Sequence, residues 1–421
     1  MGLSVVDNNS PHYSILASDF SLPIIVPHAV ALVDGVIASA EVAEESSLTV
    51  DGTAVPLESG DLILPGLVDT HCHLIGPGEM ADRIDLVGLD VKSDLLERVA
   101  ERYRSVQEGS DEIWIEGFGW DETNWEGAPP SRSELDAVAP NRPVALFRID
   151  THAVACNTVA IERADLVARL SSAQQEFLVR DEWGDPTGLV CEDAVKVLQS
   201  SMPRPDLAAL RRWYRIGVEE CRRNGLVEVH DMNVQPEWIE PLVLNAEAGE
   251  LTVATHLFLD GTKPIPNELM RPGSIAPNLS VAGIKFFVDG ALGSRGAWLK
   301  EPYADDATTT GLQTLTAEQI VECSRDPVNR GLAVATHAIG DAAVAETLDA
   351  YRVLRAEFPR AVLRIEHAQI VDPVDLPQFE ELNILPAVQP IHCISDIAMA
   401  TERLGVERLD RCYRWGSFRQ I

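Results

Sequence analysis

From residue 226 onward the chain repeats one pattern: a short apolar run, a chemistry-bearing residue at or near its end, and then a stretch that can form a helix. The runs are 226–231, 253–259, 280–287, 332–337, 362–367 and 384–389. Residues 316–323 and 341–355 read as helices between them, the second with Val344, Leu348 and Tyr351 on one face. Short apolar strands that alternate with helices imply parallel β/α units with both faces of the sheet covered. An earlier run, 64–68, leads into His71-Cys72-His73. Functional residues at the C-terminal ends of successive parallel strands mark a TIM-type barrel. The expected fold class is therefore α/β, a (β/α) barrel.

Residues i and i+2 of a strand share a face, so His71 and His73 can converge on one metal ion. Such a pair alone is weak evidence, and a bland surface or core pair is the commoner reading. His337 and His367 end two later strands, and together the four histidines suit one or two divalent ions. Lys285 lies inside the apolar strand 282–288 and is one of only five lysines in the chain. An unpaired ammonium there is costly, and burial favours the neutral amine. A neutral amine can take up carbon dioxide and become a carbamate, a carboxylate able to bridge two metals. The competing reading is an ion pair with Asp289 or Glu366. Glu192 is an alternative bridging carboxylate, ranked behind Lys285.

Ordinary hydrogen-bonded histidines are the default reading of His152, His230 and His392. Of these, His152 is the strongest candidate for a substrate contact, because Asp150 and Asn157 lie close in sequence. Trp114, Phe118, Trp120 and Trp125 form an aromatic-glycine stretch that lines a pocket or packs an inserted core.

The chain has 421 residues, enough for one large domain and an accessory one. With 66 acidic and 34 basic residues the net charge is −32, which repels phosphate backbones and anionic lipid. Nucleic-acid and membrane partners are therefore not expected. Seven cysteines without C-x-x-C spacing point to reduced thiols and a cytoplasmic location. Residues 1–21 lack the basic and apolar segments of a signal peptide.

Residues 1–60 read as a small β-domain, with runs at 24–26, 29–33 and 48–50 separated by turn residues. The barrel is expected over 61–421, with an insertion at about 75–202 that caps its mouth. Within that insertion 93–106 reads as a helix opened by an Asp94/Glu97 capping box, and 144–149 as a strand. Residues 206–223 form a further helix stopped by Asn224-Gly225.

Six motifs carry a resemblance. They are Leu64 to His73 (LPGLVDTHCH), Gly117 to Glu122 (GFGWDE), Arg148 to His152 with Asn157, Lys285 to Arg295 (KFFVDGALGSR), His337 to Asp341 (HAIGD) and Arg364 to Gln369 (RIEHAQ). In this order the chain resembles the amidohydrolase superfamily, in its YtcJ-like branch that includes N-substituted formamide deformylases. The resemblance implies a metal-dependent hydrolase barrel with a small β-domain built from both chain ends. It implies His71, His73, His337 and His367 as metal ligands and Lys285 as a carboxylated bridge. Lys285, His337 and His367 then serve catalysis, while Trp120, Asp121, His152, Glu192, Asp289 and Arg295 contact substrate. The family's aspartate at the end of its eighth strand has no counterpart, because the sequence stops at Gly416-Ser417-Phe418 before that strand. Asp396, after the seventh strand, is a poor substitute.

The expected activity is hydrolysis of a non-peptide C–N bond, an amide or N-formyl group of a small molecule, by metal-activated hydroxide. The expected cofactor is a divalent metal, zinc first, with one or two ions per chain, and a homodimer is compatible. Two rival readings stand beside it. One is a catalytically inactive fragment that binds metal or a partner protein. The other is a mononuclear hydrolase of ester, lactone or phosphoester substrates.

Overall fold

A computed structural model describes residues 28–33, 36–42, 47–57, 66–106, 113–125 and 128–419. The expected strand at 24–26 and the first two residues of the 64–73 motif lie outside them. The chain divides into two compact units, one of residues 1–75 and 214–421 and one of residues 76–213.

In the first unit, β1 (His28–Val33), β2 (Val36–Val42), β3 (Ser47–Val50) and β4 (Thr53–Val55) form a small sheet in the order β2-β1-β3-β4. The β3–β4 hairpin turns on Asp51 and Gly52, both at positive φ (50° and 79°). That is the backbone an Asp-Gly pair supplies in a two-residue hairpin.

Next comes β5 (Leu67–Cys72), which carries His71. The second unit then contributes β6 (Ile84–Asp85), β7 (Ile115–Trp120), β8 (Val144–Arg148), β9 (Ala153–Cys156), β10 (Leu178–Arg180) and β11 (Pro186–Cys191). They form one sheet in the order β10-β11-β9-β8-β7-β6. Phe147, Val154 and Val190 pack in one apolar core, and Leu95, Ile115, Trp120 and Leu146 in another. This unit is the inserted segment, a folded module with its own sheet. Its first long helix runs Lys92–Ser105, one residue earlier than expected, and Val91 at its N-cap makes no side-chain cap. Asp94 therefore sits in the first turn, where it meets the helix dipole instead of closing a capping box.

The chain returns to the first unit in helix Leu207–Arg223 and proceeds through β12 (Leu226–Val234), β13 (Ala254–Asp260), β14 (Gly273–Ala276), β15 (Leu279–Phe287), β16 (Ala333–Ala338), β17 (Leu363–His367) and β18 (Leu385–Ala387). The strand order is β18-β17-β16-β15-β13-β12-β5, and every neighbouring pair along it is parallel. β14 pairs antiparallel with the start of β15. The result is a TIM-type barrel with one unsealed seam. Among the described residues no pairing joins β5 to β18, and Leu67 and Val68 on one edge and Leu385 on the other are exposed.

Register places the site. Lys285, Ala335 and Arg364 lie side by side, and Phe287, His337 and Glu366 form the next layer towards the C-terminal ends. Helix Leu207–Arg223 packs directly against the chain leaving β5, for a Cβ added at Gly217 would lie 1.9 Å from the Leu74 carbonyl oxygen. The Leu74 amide in turn donates to Asp231 Oδ1 of β12 at 3.0 Å. Replacing Gly217 with alanine should therefore push the helix off this strand end and lower stability by about 1–3 kcal/mol. Urea unfolding of the two proteins measures it, and equal midpoints would show that the approach is not limiting.

Candidate metal centre

The four histidines meet at the C-terminal end of the barrel. Ring centroids lie 5.8 Å apart for His71 and His73, 4.7 Å for His71 and His367, and 4.6 Å for His337 and His367. Imidazoles ligating one ion through Zn–N bonds of about 2 Å have centroids roughly 5 Å apart. His71 is the penultimate residue of β5 and His73 follows that strand, whereas His337 is the penultimate residue of β16 and His367 ends β17.

Successive residues of a regular strand face opposite sides, yet Glu366 and His367 both reach His71. The backbone explains this. His367 has φ 72° and Ala368 φ 42°, so the strand breaks into left-handed turns and swings the ring round. Non-glycine residues held there cost on the order of 1–3 kcal/mol each, and such strain clusters at functional sites.

Hydrogen bonds fix which ring nitrogen faces the shared space. His73 Nδ1 lies 3.0 Å from the Met232 carbonyl, which can only accept, so that nitrogen carries the proton. His71 Nδ1 donates to Glu366 Oε2 at 2.6 Å. Gln389 donates from Nε2 to the Ala387 carbonyl, so its Oε1 accepts from His367 Nδ1 at 2.7 Å. In each neutral ring Nε2 keeps its lone pair. Burial, then the neighbouring His337 and His71, pushes the pKa of His367 far below the usual range. Burial and then His71 also lower His73. Both rings are thus held in the neutral form that ligates metal.

Lys285 is buried, and burial pushes its pKa down to about 7 against the upward pull of Glu366. Its Nζ donates to the Phe286 carbonyl at 3.2 Å and sits 3.7 Å from the centre of the Phe287 ring. No ion pair joins it to Asp289 or Glu366, the two partners considered from sequence. Asp289 is instead held by the amides of Trp298 (2.9 Å), Ile339 (3.0 Å) and Gly340 (2.8 Å). It is buried behind His337 and presents no free oxygen as the substrate contact expected of it. Glu366 is bound by Arg364 Nε at 2.9 Å and by His71.

The fit to a metal rests on His337. Its Nε2 lies 3.3 Å from Asp289 Oδ1 but is buried without a hydrogen-bond partner. A buried acceptor or donor left without a partner needs an explanation, and an ion is one. Among the described residues no three His, Cys, Asp or Glu side chains are already closed on a single ion-sized point. The rings therefore flank the space without forming a closed cage. The donor set suits a divalent cation of borderline softness.

The other expected residues have these partners. Arg295 pairs with Asp305 through Nε (3.2 Å) and Nη2 (2.8 Å) on a surface loop. Within the inserted unit, Trp120 is fully buried and donates from its indole to the Leu146 carbonyl at 2.7 Å. Its ring fills that unit's own core, because a large aromatic on an inner strand packs at lower cost than it solvates. Asp121 caps the short turn that follows by accepting from the Thr123 amide and hydroxyl. His152 Nδ1 meets Glu192 Oε2 at 2.9 Å, both side chains partly exposed. Thr151 and Glu192 beside this pair have positive φ (64° and 47°). Asp396 is engaged by the hydroxyls of Tyr413 and Ser395, both at 2.8 Å. Gln389 and the Met232 carbonyl were not singled out from sequence. The only signal for Gln389 is its place just after the last barrel strand.

Residues 59–420 match the amidohydrolase family. The chain belongs to that family. The YtcJ protein of Bacillus subtilis strain 168 is 31% identical over 363 residues, covering 85% of this chain and 68% of that one. The N-substituted formamide deformylase of Arthrobacter pascens is 27% identical over 350 residues, covering 77% of this chain and 62% of that one. A crystal structure of an uncharacterized metal-dependent hydrolase from Pyrococcus horikoshii OT3 has 26% identity and a TM-score of 0.71, covering 90% of this chain and 70% of that one. The chain thus spans about two thirds of the length of these relatives. Among the described residues no helix is long and apolar enough to cross a membrane.

A buried lysine whose pKa is lowered binds fewer protons folded than unfolded. Between about 7 and its unfolded value stability rises with pH, and below about 7 the full penalty remains. In metal-free, carbon-dioxide-free buffer, Lys285→Met should therefore stabilise the chain, most below pH 7 and progressively less towards pH 9. Each unit of depression is worth about 1.4 kcal/mol. Thermal melts of both proteins across this range check it, and a difference independent of pH would mean that Lys285 titrates normally.

Proposed function

We propose that this chain is a metal-dependent hydrolase that cleaves a carbon–nitrogen bond other than a peptide bond, an amide or N-formyl group, in a small molecule. The observation that carries the reading is His337 Nε2, a buried nitrogen without a hydrogen-bond partner. It stands beside three rings whose Nδ1 atoms are occupied and whose Nε2 atoms are free to ligate. Family membership supports the hydrolase class, and the formamide deformylase among the relatives supports the C–N bond.

His71, His73, His337 and His367 hold the ion or ions, with zinc the first candidate. A divalent cation bound there lowers the pKa of water and polarises a carbonyl oxygen. Lys285 has a neutral amine available near neutral pH. That nitrogen would attack carbon dioxide, form a carbamate and lose one proton to solvent, which would turn the buried amine into an anion able to hold metal.

A second reading, metal binding without turnover, is favoured by the seam between β5 and β18 and by the engagement of Asp396 with Tyr413 and Ser395. Metal analysis combined with turnover on a panel of N-formyl and amide compounds separates the two. Bound metal with hydrolysis supports the enzyme, and bound metal without it supports the second reading.

His71→Ala and His337→Ala should each weaken zinc binding by at least about 100-fold, more than losing an outer partner costs. Lys285→Ala should reduce a two-ion site to at most one ion, and bicarbonate or a short carboxylate should partly restore the second. Elemental analysis after dialysis reads both. Wild-type metal content in the alanine variants would remove those residues from the site.

A further inference from the structure

Arg364 lies on β17, two residues before Glu366, so both side chains point into the barrel. Its guanidinium is almost fully buried and spends its donors on three strands. Nε and Nη2 bind the two Glu366 oxygens at 2.9 and 3.1 Å. Nη2 also donates to the Thr70 carbonyl of β5 at 2.8 Å. Nη1 donates to His230 Nδ1 of β12 at 2.8 Å. The Phe258 ring of β13 lies beneath it, 5.0 Å from centroid to the guanidinium carbon. Strands β17 and β5 are not paired and lie on either side of the seam, so Arg364 ties them from within.

Both ends of this clamp bear on the same ligand. Thr70 is the residue before His71, and Glu366 Oε2 is the acceptor of His71 Nδ1. A buried ion pair contributes little to stability beyond what well-packed apolar side chains provide, so its presence suggests specificity. Outer partners of metal-bound histidines fix tautomer and ring orientation. We propose that Arg364 is a positioning residue for His71, fixing its backbone through the Thr70 carbonyl and its Nδ1–H tautomer through Glu366, with His230 as the third anchor.

The geometry demands arginine. Only a planar fork with five donors serves a carboxylate, a carbonyl and an imidazole at once, and a lysine ammonium cannot. His230 must accept at Nδ1, so it is neutral with its proton on Nε2, which lies 3.9 Å from Glu228. Burial and the Arg364 charge push its pKa down to about 4, in keeping with that role.

This inference rests on the metal-centre reading, but its first test does not need metal. In the chelator-treated full chain, labelled with 15N-histidine, long-range proton–nitrogen correlation reads the His71 tautomer, assigned with His71→Gln. The wild type should show a single Nδ1–H form. Arg364→Lys keeps the charge but loses the fork, and should give a tautomer mixture and 10–100-fold weaker zinc binding against a chromophoric chelator. His230→Leu, which removes the acceptor at the far end, should act in the same direction. His230→Asn, whose amide oxygen replaces Nδ1, should stay within about threefold of wild type. If Arg364→Lys misfolds, the two His230 variants carry the comparison. Wild-type tautomer and zinc affinity in Arg364→Lys or His230→Leu, with only a lowered melting temperature, would make Arg364 a structural cross-link and overturn the proposal. A wild-type chain that binds no zinc would sink the metal-centre reading, and the tautomer would still decide this one.

Discussion

A carboxylate sealed from water must be matched by donors, and Glu366 is such a carboxylate. Burial pushes its pKa up, but His71 and Arg364 together hold it below the usual range, so it stays ionised inside the barrel. That one requirement organises its surroundings. It draws the Arg364 guanidinium across the interior, and the guanidinium in turn reaches β5 and β12. It also takes the His71 proton at Nδ1, which leaves the opposite nitrogen bare. Coulombic attraction in a low-dielectric interior can fix this arrangement because both Glu366 oxygens are hydrogen-bonded.

Asp289 plays a comparable part on the other side of His337. It accepts from the backbone amides of Trp298, Ile339 and Gly340 and so fixes the loops that follow β15 and β16. Its oxygen approaches His337 without binding it, which leaves that ring's Nε2 bare. Strain is localised in the same region, at His367 and Ala368. A rigid barrel can hold such a conformation because the flanking strand pairings over-determine it. Bracing and strain therefore belong to one arrangement, in which the scaffold presents imidazole nitrogens that it does not itself satisfy.

Among the described residues no strand pairing joins β5 to β18. The strand that bears His71 is held on one side by β12 and from inside by Arg364. The orientation of the His71 ring is thus carried by side-chain chemistry.

Much of this was legible in the sequence. Apolar runs ending in His71, His337 and His367 gave the strands and their functional ends, because a parallel strand buried on both faces can hardly be written any other way. Lys285 stood out as a rare cation in an apolar run. The capping box at Asp94 failed because a local cap motif competes with the packing that sets where a helix starts. Trp120 and Asp289 read as site residues but turned out buried and bound, since sequence cannot say which polar or aromatic group a fold will spend on itself. Gln389, just after β18, and the Met232 carbonyl of β12, which fix two of the tautomers, come from other elements than their histidines. The sequence by itself determined the barrel strands and the ligand-type residues at their ends, because both follow from local periodicity. Only the tertiary structure decided which nitrogen each histidine offers and that consecutive Glu366 and His367 face the same space, because both depend on partners and backbone angles that exist only once the strands are assembled.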